Sequence, residues 1–387
     1  KVGRWLQSFL TSRFQTVIVN GEKSSPAPVI SGVPQGSVIG PLLFLILISD
    51  IDSNVASSFL SSFADDTRVG SAISSPEDAN LLQRDLEAIY TWAETNNMLF
   101  NENKFELLRY GKNQGLNDST QYHTSTGLEI EEKPSTKDLG VIMSSSADFK
   151  EQIDHIVEKV RDLSSWILRS FKSRSKLLLL QLWKSIVIPH LDYCSQLWNP
   201  QHAYLIKRLE NLQKSFIRRI YGFKDKTYWE ALEELGLNSL QRRRERYQII
   251  YLWSIIEDIV PNIKTSSGDL IKIQSTADSR NGRTIQTKPL KNSRFSTLRF
   301  NSLPFHGARL FNKLPQYLRN ITSCPKLAFK STLDHHLKTV LDKPVMLPST
   351  ISRQVSSNSL MFKLNPAGPA PTSQLHRCGT HTLVGGR

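Results

Sequence analysis

Apolar residues recur at helical spacing through the middle of the chain. Between 151 and 171 they fall on one face of an α-helix, at Ile153, Ile156, Val157, Val160, Leu163 and Ile167. The same spacing recurs from Lys176 to near Pro189, over 203–222 and over 241–260. Strands cannot satisfy a period of 3.6 residues, because their side chains alternate every two residues. The pattern therefore predicts an all-helical domain over 150–260, with Gly222 ending its third helix.

The residues before this domain predict a mixture of short elements. Helices are expected over 1–13, 38–49 and 75–98, the last capped by Ser75 or Asp78. Strands are expected over 16–21, near 27–32, on both sides of Asp65 and over 105–111. The apolar run at 38–48 predicts a buried core helix. Helices on a small antiparallel sheet make an α+β domain over 1–145.

The residues after the helical domain carry weaker structural signals. Residues 261–341 are polar and basic, with short helical stretches near 306–319 and 326–341. From about Asp342 onward, Pro, Ser, Thr and Gly dominate and periodicity disappears. That composition is typical of disorder, because it offers little apolar surface to bury. We therefore predict a basic region over 261–341 and a disordered tail over 342–387.

The formal charge of +14 is divided unevenly along the 387 residues. Residues 1–150 contain 12 Lys and Arg against 18 Asp and Glu, a balance of −6. Residues 151–387 carry the opposite balance, +20. A basic half of this size predicts a polyanionic partner such as nucleic acid, because each phosphate contact releases counterions. A solvated basic surface without a partner is the alternative.

Cysteine spacing and hydropathy indicate the compartment. Cys194, Cys324 and Cys378 form no Cys-x-x-Cys pair, so neither a disulfide framework nor a zinc site is predicted. No secretory leader is recognisable at the start. The longest apolar run, 38–48, is shorter than the ~20 residues that cross a bilayer. We expect an intracellular protein, nuclear or cytoplasmic or both, that is not secreted and does not enter a membrane.

Two neighbouring carboxylates lie where a hairpin turn is expected. In "FLSSFADDTRVG", residues 59–70, Asp65 and Asp66 are flanked by apolar or β-branched residues. Adjacent like charges repel, so ordinary packing does not favour the pair. A solvated Asx turn is one interpretation. A bound cation that offsets the repulsion is the other.

A glycine-rich segment precedes this hairpin. "SGVPQGSVIGPLLFLI", residues 31–46, has three glycines and two prolines within eleven residues and leads into the apolar helix. Glycine lets a backbone approach a ligand closely, and Gln35 and Ser37 can hydrogen-bond there. The segment by itself is either a ligand-binding loop or a plain helix entry.

Together, the glycine-rich segment and "FADD" (63–66) resemble the palm of reverse transcriptases from non-LTR (LINE-type) retrotransposons of the jockey/CR1 kind. Five further segments are similar to that family: 5–21, 96–111, 137–143, 186–198 and 311–320. The resemblance covers roughly residues 1–330. It implies a partial right-hand polymerase palm followed by an all-helical thumb. It also implies RNA-directed DNA polymerase activity, with an RNA template, a DNA primer and dNTPs as partners.

The resemblance assigns roles to individual residues. It implies that Asp65 binds Mg²⁺ (or Mn²⁺) directly and that Asp66 is a second, more loosely placed ligand. Pro34, Gln35, Gly36 and Ser37 match the segment beside the template base and the incoming nucleotide. Leu139 and Gly140 match the primer-grip turn. Lys104 is expected to neutralise or protonate the leaving pyrophosphate, or to be a plain surface lysine.

Residues 242–246, "RRRER", open the fourth predicted helix. Arg242, Arg243 and Arg244 are predicted to contact the nucleic-acid backbone, with a merely solvated helix end as the alternative.

One departure from the family concerns the metal ligands. Members carry a further metal-binding aspartate upstream of the glycine-rich loop, but Glu22 is the only acid before Asp50 here. We therefore expect an N-terminally truncated segment that is inactive alone. The alternative is a catalytically dead nucleic-acid-binding relic of the same fold.

Overall fold

The structure is a computed structural model that describes residues 1–111, 119–265, 268–287, 302–346 and 356–366. It divides into two compact units, residues 1–134 and 135–387. Both contain helices, and the described strands pair in separate two-stranded antiparallel ladders. The predicted α+β class is thereby confirmed, although the first unit forms three small ladders instead of one sheet. None of the helices within the described ranges is long and apolar enough to cross a membrane.

The first unit begins with helix α1 (Val2–Leu10) and two short ladders. Strand β1 (Arg13–Gln15) pairs with β4 (Ala27–Val29), and β2 (Ile18–Val19) pairs with β3 (Glu22–Lys23) inside that connection. Asn20 and Gly21 form the predicted turn, both with positive φ, at +51° and +90°. Strands β5 (Phe59–Phe63) and β6 (Asp66–Gly70) make the third ladder.

Helix α2 (Gly40–Ile48) forms where the apolar run predicted it, but it is not a buried core helix. Leu42, Leu45 and Ile46 are exposed. Phe44 and Ile48 provide its packing against one of the two hydrophobic clusters of this unit. The prediction of burial was wrong because hydrophobicity shows that a helix can be buried, whereas the neighbouring elements decide which faces are covered.

Helix α3 (Pro76–Thr95) is the longest element of the first unit and has the predicted cap. The Ser75 hydroxyl accepts the Asp78 N–H at 3.2 Å, and the Asp78 carboxylate accepts the Ser75 N–H at 2.9 Å. This reciprocal pair satisfies donors that the first helical turn leaves free. The predicted strand over 105–111 is wrong, since only Leu107 forms a bridge, with Glu132.

The second unit begins with the hairpin β7 (Ser135–Asp138) and β8 (Val141–Ser144) and continues with helices. Their bounds are α4 (Lys150–Ser170), α5 (Lys176–Leu182), α6 (Ile188–Asp192), α7 (Ser195–Trp198), α8 (Ala203–Ile217), α9 (Tyr228–Leu235) and α10 (Leu240–Ile256). A π-helical turn over Trp183–Val187 joins α5 to α6. The predicted stop near Pro189 does not occur, because this proline lies in the first turn of α6, where its missing N–H costs no bond.

Two hydrophobic clusters stabilise the second unit. The first joins α4 to α9, with Ile153, Val160, Leu209 and Trp198 at its centre. The second packs α10 against α11 (Ala308–Lys313), α12 (Gln316–Arg319) and α13 (Lys326–Thr339). Trp253 of α10 stacks on Phe329 of α13, with ring centroids 4.3 Å apart. Helix α10 therefore belongs to the same core as the residues that follow it.

The tail beyond residue 342 is not structureless where the structure describes it. Residues 356–366 include a 3₁₀ turn over Leu360–Phe362. Leu360 and Leu364 are buried in the second cluster. The prediction of disorder is wrong for this segment. Composition alone does not reveal that Leu360 and Leu364 pack into the second hydrophobic cluster. Residues 347–355 and 367–387 of the predicted tail lie outside the described residues.

Candidate active site

Asp65 and Asp66 lie at the tip of the β5–β6 hairpin. Phe63 pairs with Asp66, so Ala64 and Asp65 form a two-residue turn. Ala64 has φ +53°, a left-handed conformation that a two-residue hairpin turn requires. Both carboxylates are exposed. The predicted strand, turn and strand are confirmed, and the turn presents two acidic groups side by side.

One face of the hairpin is anchored in the core of the first unit. Leu60 and Val69 lie opposite each other and pack with Ile48, Ile89 and Trp92. The other face carries Phe59 and Phe63, both exposed. The Phe59 ring lies across Gly70, where a Cβ would come within 2.4 Å of it. Gly70 is therefore required for this cross-strand contact.

Asp85 of α3 fixes the entry into the hairpin, and sequence reasoning missed this role. Its buried carboxylate accepts backbone N–H groups of Ala56 at 2.9 Å, Ser57 at 3.1 Å and Ser58 at 2.8 Å. Desolvation acts to raise the pKa of Asp85, but the hydrogen bonds from Ala56, Ser57 and Ser58 outweigh it and the pKa is lowered. The sequence feature that could have revealed this role is the position of Asp85, three residues after Leu82, on the apolar face of the helix.

The glycine-rich loop is held by its own backbone. The Ser37 hydroxyl donates to the Pro34 carbonyl at 2.7 Å and accepts the Gly40 N–H at 3.1 Å. A Cβ on Gly40 would lie 2.8 Å from that hydroxyl oxygen, so a larger residue would displace the Ser37 side chain from these bonds. Arg13 of β1 donates to the Gly32 carbonyl at 2.5 Å. These contacts hold the loop at the start of α2.

Gln35 and Gly36 lie at the exposed part of this loop. Gly36 has φ +81°, and no atom lies within 4 Å of the position where its Cβ would stand. Pro34 and Ser37 are half-buried beneath them. The loop thus exposes the Gly36 backbone and the Gln35 amide to solvent, while Pro34 and Ser37 hold them in place.

This part of the chain is similar to known proteins. Residues 1–143 match the family model "Reverse transcriptase (RNA-dependent DNA polymerase)". The first 143 residues belong to the reverse transcriptase family. The chain is also 29% identical over 228 residues to the RNA-directed DNA polymerase from mobile element jockey of Drosophila melanogaster.

Two further relatives extend this similarity. The chain is 30% identical over 233 residues to the probable RNA-directed DNA polymerase from transposon X-element of Drosophila melanogaster. It is 28% identical over 233 residues to the jockey polymerase of Drosophila funebris. Each of the three matches covers 56% of this chain. The aligned part is about a quarter of each relative's length (24–25%).

The donor set of the reverse transcriptase segment suits a hard cation. Asp65 and Asp66 offer carboxylate oxygens, and Mg²⁺ is typically held by one or two carboxylates together with phosphate and water. Within the described parts of the chain, no group of three or more His, Cys, Asp or Glu side chains is arranged to hold a metal ion. Asp50 accepts the Trp92 indole N–H at 2.9 Å, which ties the end of α2 to α3.

Lys104 lies in a 3₁₀ turn, Glu102–Lys104, after α3. Its side chain is exposed. The turn is fixed by Glu102, whose carboxylate accepts the hydroxyl of Thr124 at 2.7 Å and that of Ser125 at 2.9 Å. The hydrogen bonds from Thr126, Thr124 and Ser125 lower the pKa of Glu102. Lys104 is thus a solvent-facing cation on a well-fixed turn.

Leu139 and Gly140 form the two-residue turn of the β7–β8 hairpin in the second unit. Their φ angles are +42° and +84°. Asp138 pairs with Val141, which is buried in the first cluster of that unit. The predicted turn is confirmed.

The prediction of phosphate contact is contradicted for Arg242 and Arg244 by their burial, whereas Arg243 is half-buried. Arg242 and Arg244 are 3% and 1% exposed. Arg242 donates to the carbonyls of Leu337 at 2.9 Å and Leu341 at 2.8 Å, at the end of α13. Phosphates cannot reach guanidinium groups that lie inside the protein.

Arg243 and Arg244 are bonded to neighbouring helices. Arg243 forms an ion pair with Asp192 of α6. The Arg244 Nε donates to the Asn199 amide oxygen at 3.0 Å. These arginines join α10 to its neighbours, and their partners lie too far away in sequence to be recognised from it.

Proposed function

We propose that this chain is part of an RNA-directed DNA polymerase of a non-LTR retrotransposon, which extends a DNA primer along an RNA template. The observation that carries the proposal is the pair Asp65 and Asp66 at the hairpin tip, within a segment that matches the reverse transcriptase family. The similarity to three mobile-element polymerases supports it. The substrates are dNTPs.

Asp65 and Asp66 would hold Mg²⁺ or Mn²⁺ at this tip. The bound cation would supply positive charge against the triphosphate of the incoming nucleotide. Two exposed acids on a hairpin anchored by Leu60 and Val69 give such an ion a fixed position. Asp85 contributes by holding the residues that enter β5.

The glycine-rich loop would receive the nucleotide and the template base. Gly36 permits close approach, because its Cβ position is open, and the Gln35 amide offers both a donor and an acceptor. Ser37 would act by holding the loop, since its hydroxyl is already bonded within it. Lys104 would neutralise the departing pyrophosphate.

The two units would correspond to parts of a right-hand polymerase. We assign the palm to residues 1–145, which include the β7–β8 hairpin of the second unit, the thumb to 150–260 and a post-thumb region to the residues that follow. In the thumb, nucleic acid would meet α8 and its following turn instead of the buried arginines of α10. Lys207, Arg218 and Arg219 are exposed there, and the acid of this stretch, Glu210, is bonded inward to the N-terminus of α10.

Primer extension tests the proposal. The 387-residue chain is incubated with an RNA template, a recessed DNA primer, dNTPs and Mg²⁺. Incorporation by the unaltered chain, abolished in Asp65→Asn and retained in Asp52→Asn, would support it and would overturn the expectation that the chain is inactive alone. Asp52 is the matched control, since it is an exposed acid at the end of α2. In parallel, Asp65→Asn should weaken Mn²⁺ binding measured by electron paramagnetic resonance. Unchanged extension in Asp65→Asn contradicts the assignment.

A second candidate function is nucleic-acid binding without catalysis, and the exposed cations of α8 and its following turn favour it. It predicts that the chain binds an RNA–DNA hybrid but incorporates no nucleotide. Lys207→Gln, Arg218→Gln and Arg219→Gln together should reduce the salt dependence of binding by about three counterions. The control is Arg280→Gln, Lys338→Gln and Lys343→Gln, which removes three exposed cations elsewhere.

A further inference from the structure

The turn of the β7–β8 hairpin has a conformation that its sequence alone does not favour. Leu139 occupies the left-handed region with φ +42°, followed by Gly140 at φ +84°. A left-handed conformation costs a residue with a Cβ about 1–2 kcal/mol. Asn, Asp or Gly would avoid much of this cost at the first turn position. Surrounding contacts must therefore hold the turn.

Tyr193 supplies such contacts from the segment that follows α6. Its hydroxyl donates a hydrogen bond to the Leu139 carbonyl at 2.7 Å. Its ring faces Gly140, where a Cβ would lie 3.5 Å from the ring. One side chain thus contacts both residues of the turn, although its ring is 52% exposed.

Tyr193 is itself fixed by the helical core. Its N–H donates to the Pro189 carbonyl at 3.0 Å, and its carbonyl accepts the Trp198 indole N–H at 2.8 Å. Trp198 is fully buried. The next residue, Cys194, has φ +49°, so the chain reverses immediately after the tyrosine.

The strand that follows the turn is attached to the same core. Val141 is buried with Ile153 and Leu191 in one cluster. The Ile142 N–H donates to the Gln152 side chain at 2.9 Å, and Gln152 is buried. The residues directly after the turn are therefore attached to the helical core, and Tyr193 adds contacts to the turn itself.

We propose that Tyr193 is the positioning residue for the Leu139–Gly140 turn and keeps it in the form that contacts the 3′ end of the DNA primer. This inference rests on the proposed function, because it takes the turn as a primer contact. Tyr193 touches the turn and acts through it. Loss of its hydroxyl should loosen the turn without disturbing the buried cluster.

The test compares Tyr193→Phe with Tyr204→Phe in the full chain. Both tyrosines are half-exposed, and Tyr204 lies on α8. Binding is measured to two RNA–DNA hybrids of equal length, one with a recessed primer 3′ end and one with blunt ends. Hydrogen exchange of the Gly140 and Val141 amides reports on the turn. We expect Tyr193→Phe to reduce the preference for the recessed end about five-fold and to speed exchange at these amides, while Tyr204→Phe changes neither.

The outcomes separate the inference from the proposed function. If the unaltered chain prefers the recessed end and Tyr193→Phe keeps that preference, the role of Tyr193 is overturned and the proposed function stands. Faster hydrogen exchange at the turn with an unchanged preference for the recessed end also overturns the role of Tyr193, since the turn is then loosened without an effect on primer binding. If the unaltered chain binds neither hybrid, the proposed function fails and the inference fails with it.

Discussion

The carboxylate of Glu245 accepts the backbone N–H of Leu360 at 2.7 Å, although 115 residues separate them. The Ser359 hydroxyl donates to the same carboxylate at 2.6 Å. Glu245 is 2% exposed, and burial raises its pKa although these two bonds act against the rise. Residues 356–366 are thus a strap over α10 that satisfies a buried acid, and the fold of the second unit depends on them.

Leu360→Ala should destabilise the second unit by about 2–4 kcal/mol, because it removes a fully buried side chain from the second cluster. Urea unfolding measures the loss. Phe362→Ala is the matched control, since Phe362 lies in the same turn but is 36% exposed. We expect it to cost about 1 kcal/mol or less. Equal effects of the two substitutions would mean that the strap does not complete the core.

Asp85→Asn should loosen the entry to the β5–β6 hairpin, at a cost of about 1–3 kcal/mol. The amide can accept fewer of the bonds from Ala56, Ser57 and Ser58, and it carries no charge. Hydrogen exchange of those three amides is the measurement, and Glu87→Gln on the exposed side of α3 is the control.

The lowered pKa of Asp85 also gives a pH dependence. A carboxyl with a folded pKa below its unfolded value stabilises the fold above the unfolded pKa and loses that contribution as pH falls through the folded pKa. Protection of the three amides should therefore hold at neutral pH and decline below about pH 4. If Asp85→Asn protects these amides as well as the unaltered chain does, the Asp85 carboxylate does not hold the entry to the hairpin.

His306 should make the second unit less stable in acid. Burial, helped by the positive charge of Arg309, lowers the pKa of His306 to about 3. The unfolded chain therefore takes up this proton near pH 6.5, whereas the folded chain does not. Stability should fall as pH drops from 6.5 toward 3, by at most about 1.4 kcal/mol per pH unit.

Denaturant titrations at pH 7, 6 and 5 measure this slope. His306→Gln should flatten it, and His335→Gln, at an exposed position on α13, should leave it unchanged. The Nδ1 of His306 lies 3.1 Å from the Gln248 Oε1. That oxygen already accepts the Asn199 amide at 3.0 Å, so the ring must be the donor. A slope that survives in His306→Gln would assign it to another group.

Substitution of Arg242 should lower stability without changing nucleic-acid binding, whereas substitution of Arg219 should weaken nucleic-acid binding without changing stability. Arg242→Gln leaves the carbonyls at the end of α13 with fewer donors and should cost about 3 kcal/mol or more of stability. Its folded fraction should bind an RNA–DNA hybrid with unchanged salt dependence. Arg219→Gln, at an exposed position, should leave stability within about 0.5 kcal/mol and reduce the salt slope by about one counterion. If folded Arg242→Gln shows a weaker salt dependence of hybrid binding, Arg242 contacts a phosphate after all.

The elements that the sequence predicted well depend on neighbouring residues. The periodicity of 151–171 gave helix α4, Ser75 and Asp78 gave the cap of α3, and Asn20–Gly21 gave a hairpin turn. The acidic tip at Asp65 also followed from the apolar and β-branched residues that flank it. Each signal lies within one or two turns of chain, where backbone geometry and side-chain spacing determine the outcome.

The predictions that failed required knowledge of distant partners. Four arginines among the five residues 242–246 predict an exposed surface, but Arg242 donates to the Leu337 carbonyl and Arg246 to Asp334 of α13. Leu360 lies in a segment whose composition is typical of disorder, yet it is fully buried.

The sequence by itself determined which segments form helices and turns and where the acidic pair lies. Only the tertiary structure decided which charges are buried, which tail residues complete the core and which tyrosine holds the Leu139 turn. The physical reason is that desolvation and hydrogen bonding depend on the surroundings of a group, and residues about 50 to 115 positions away supply those surroundings.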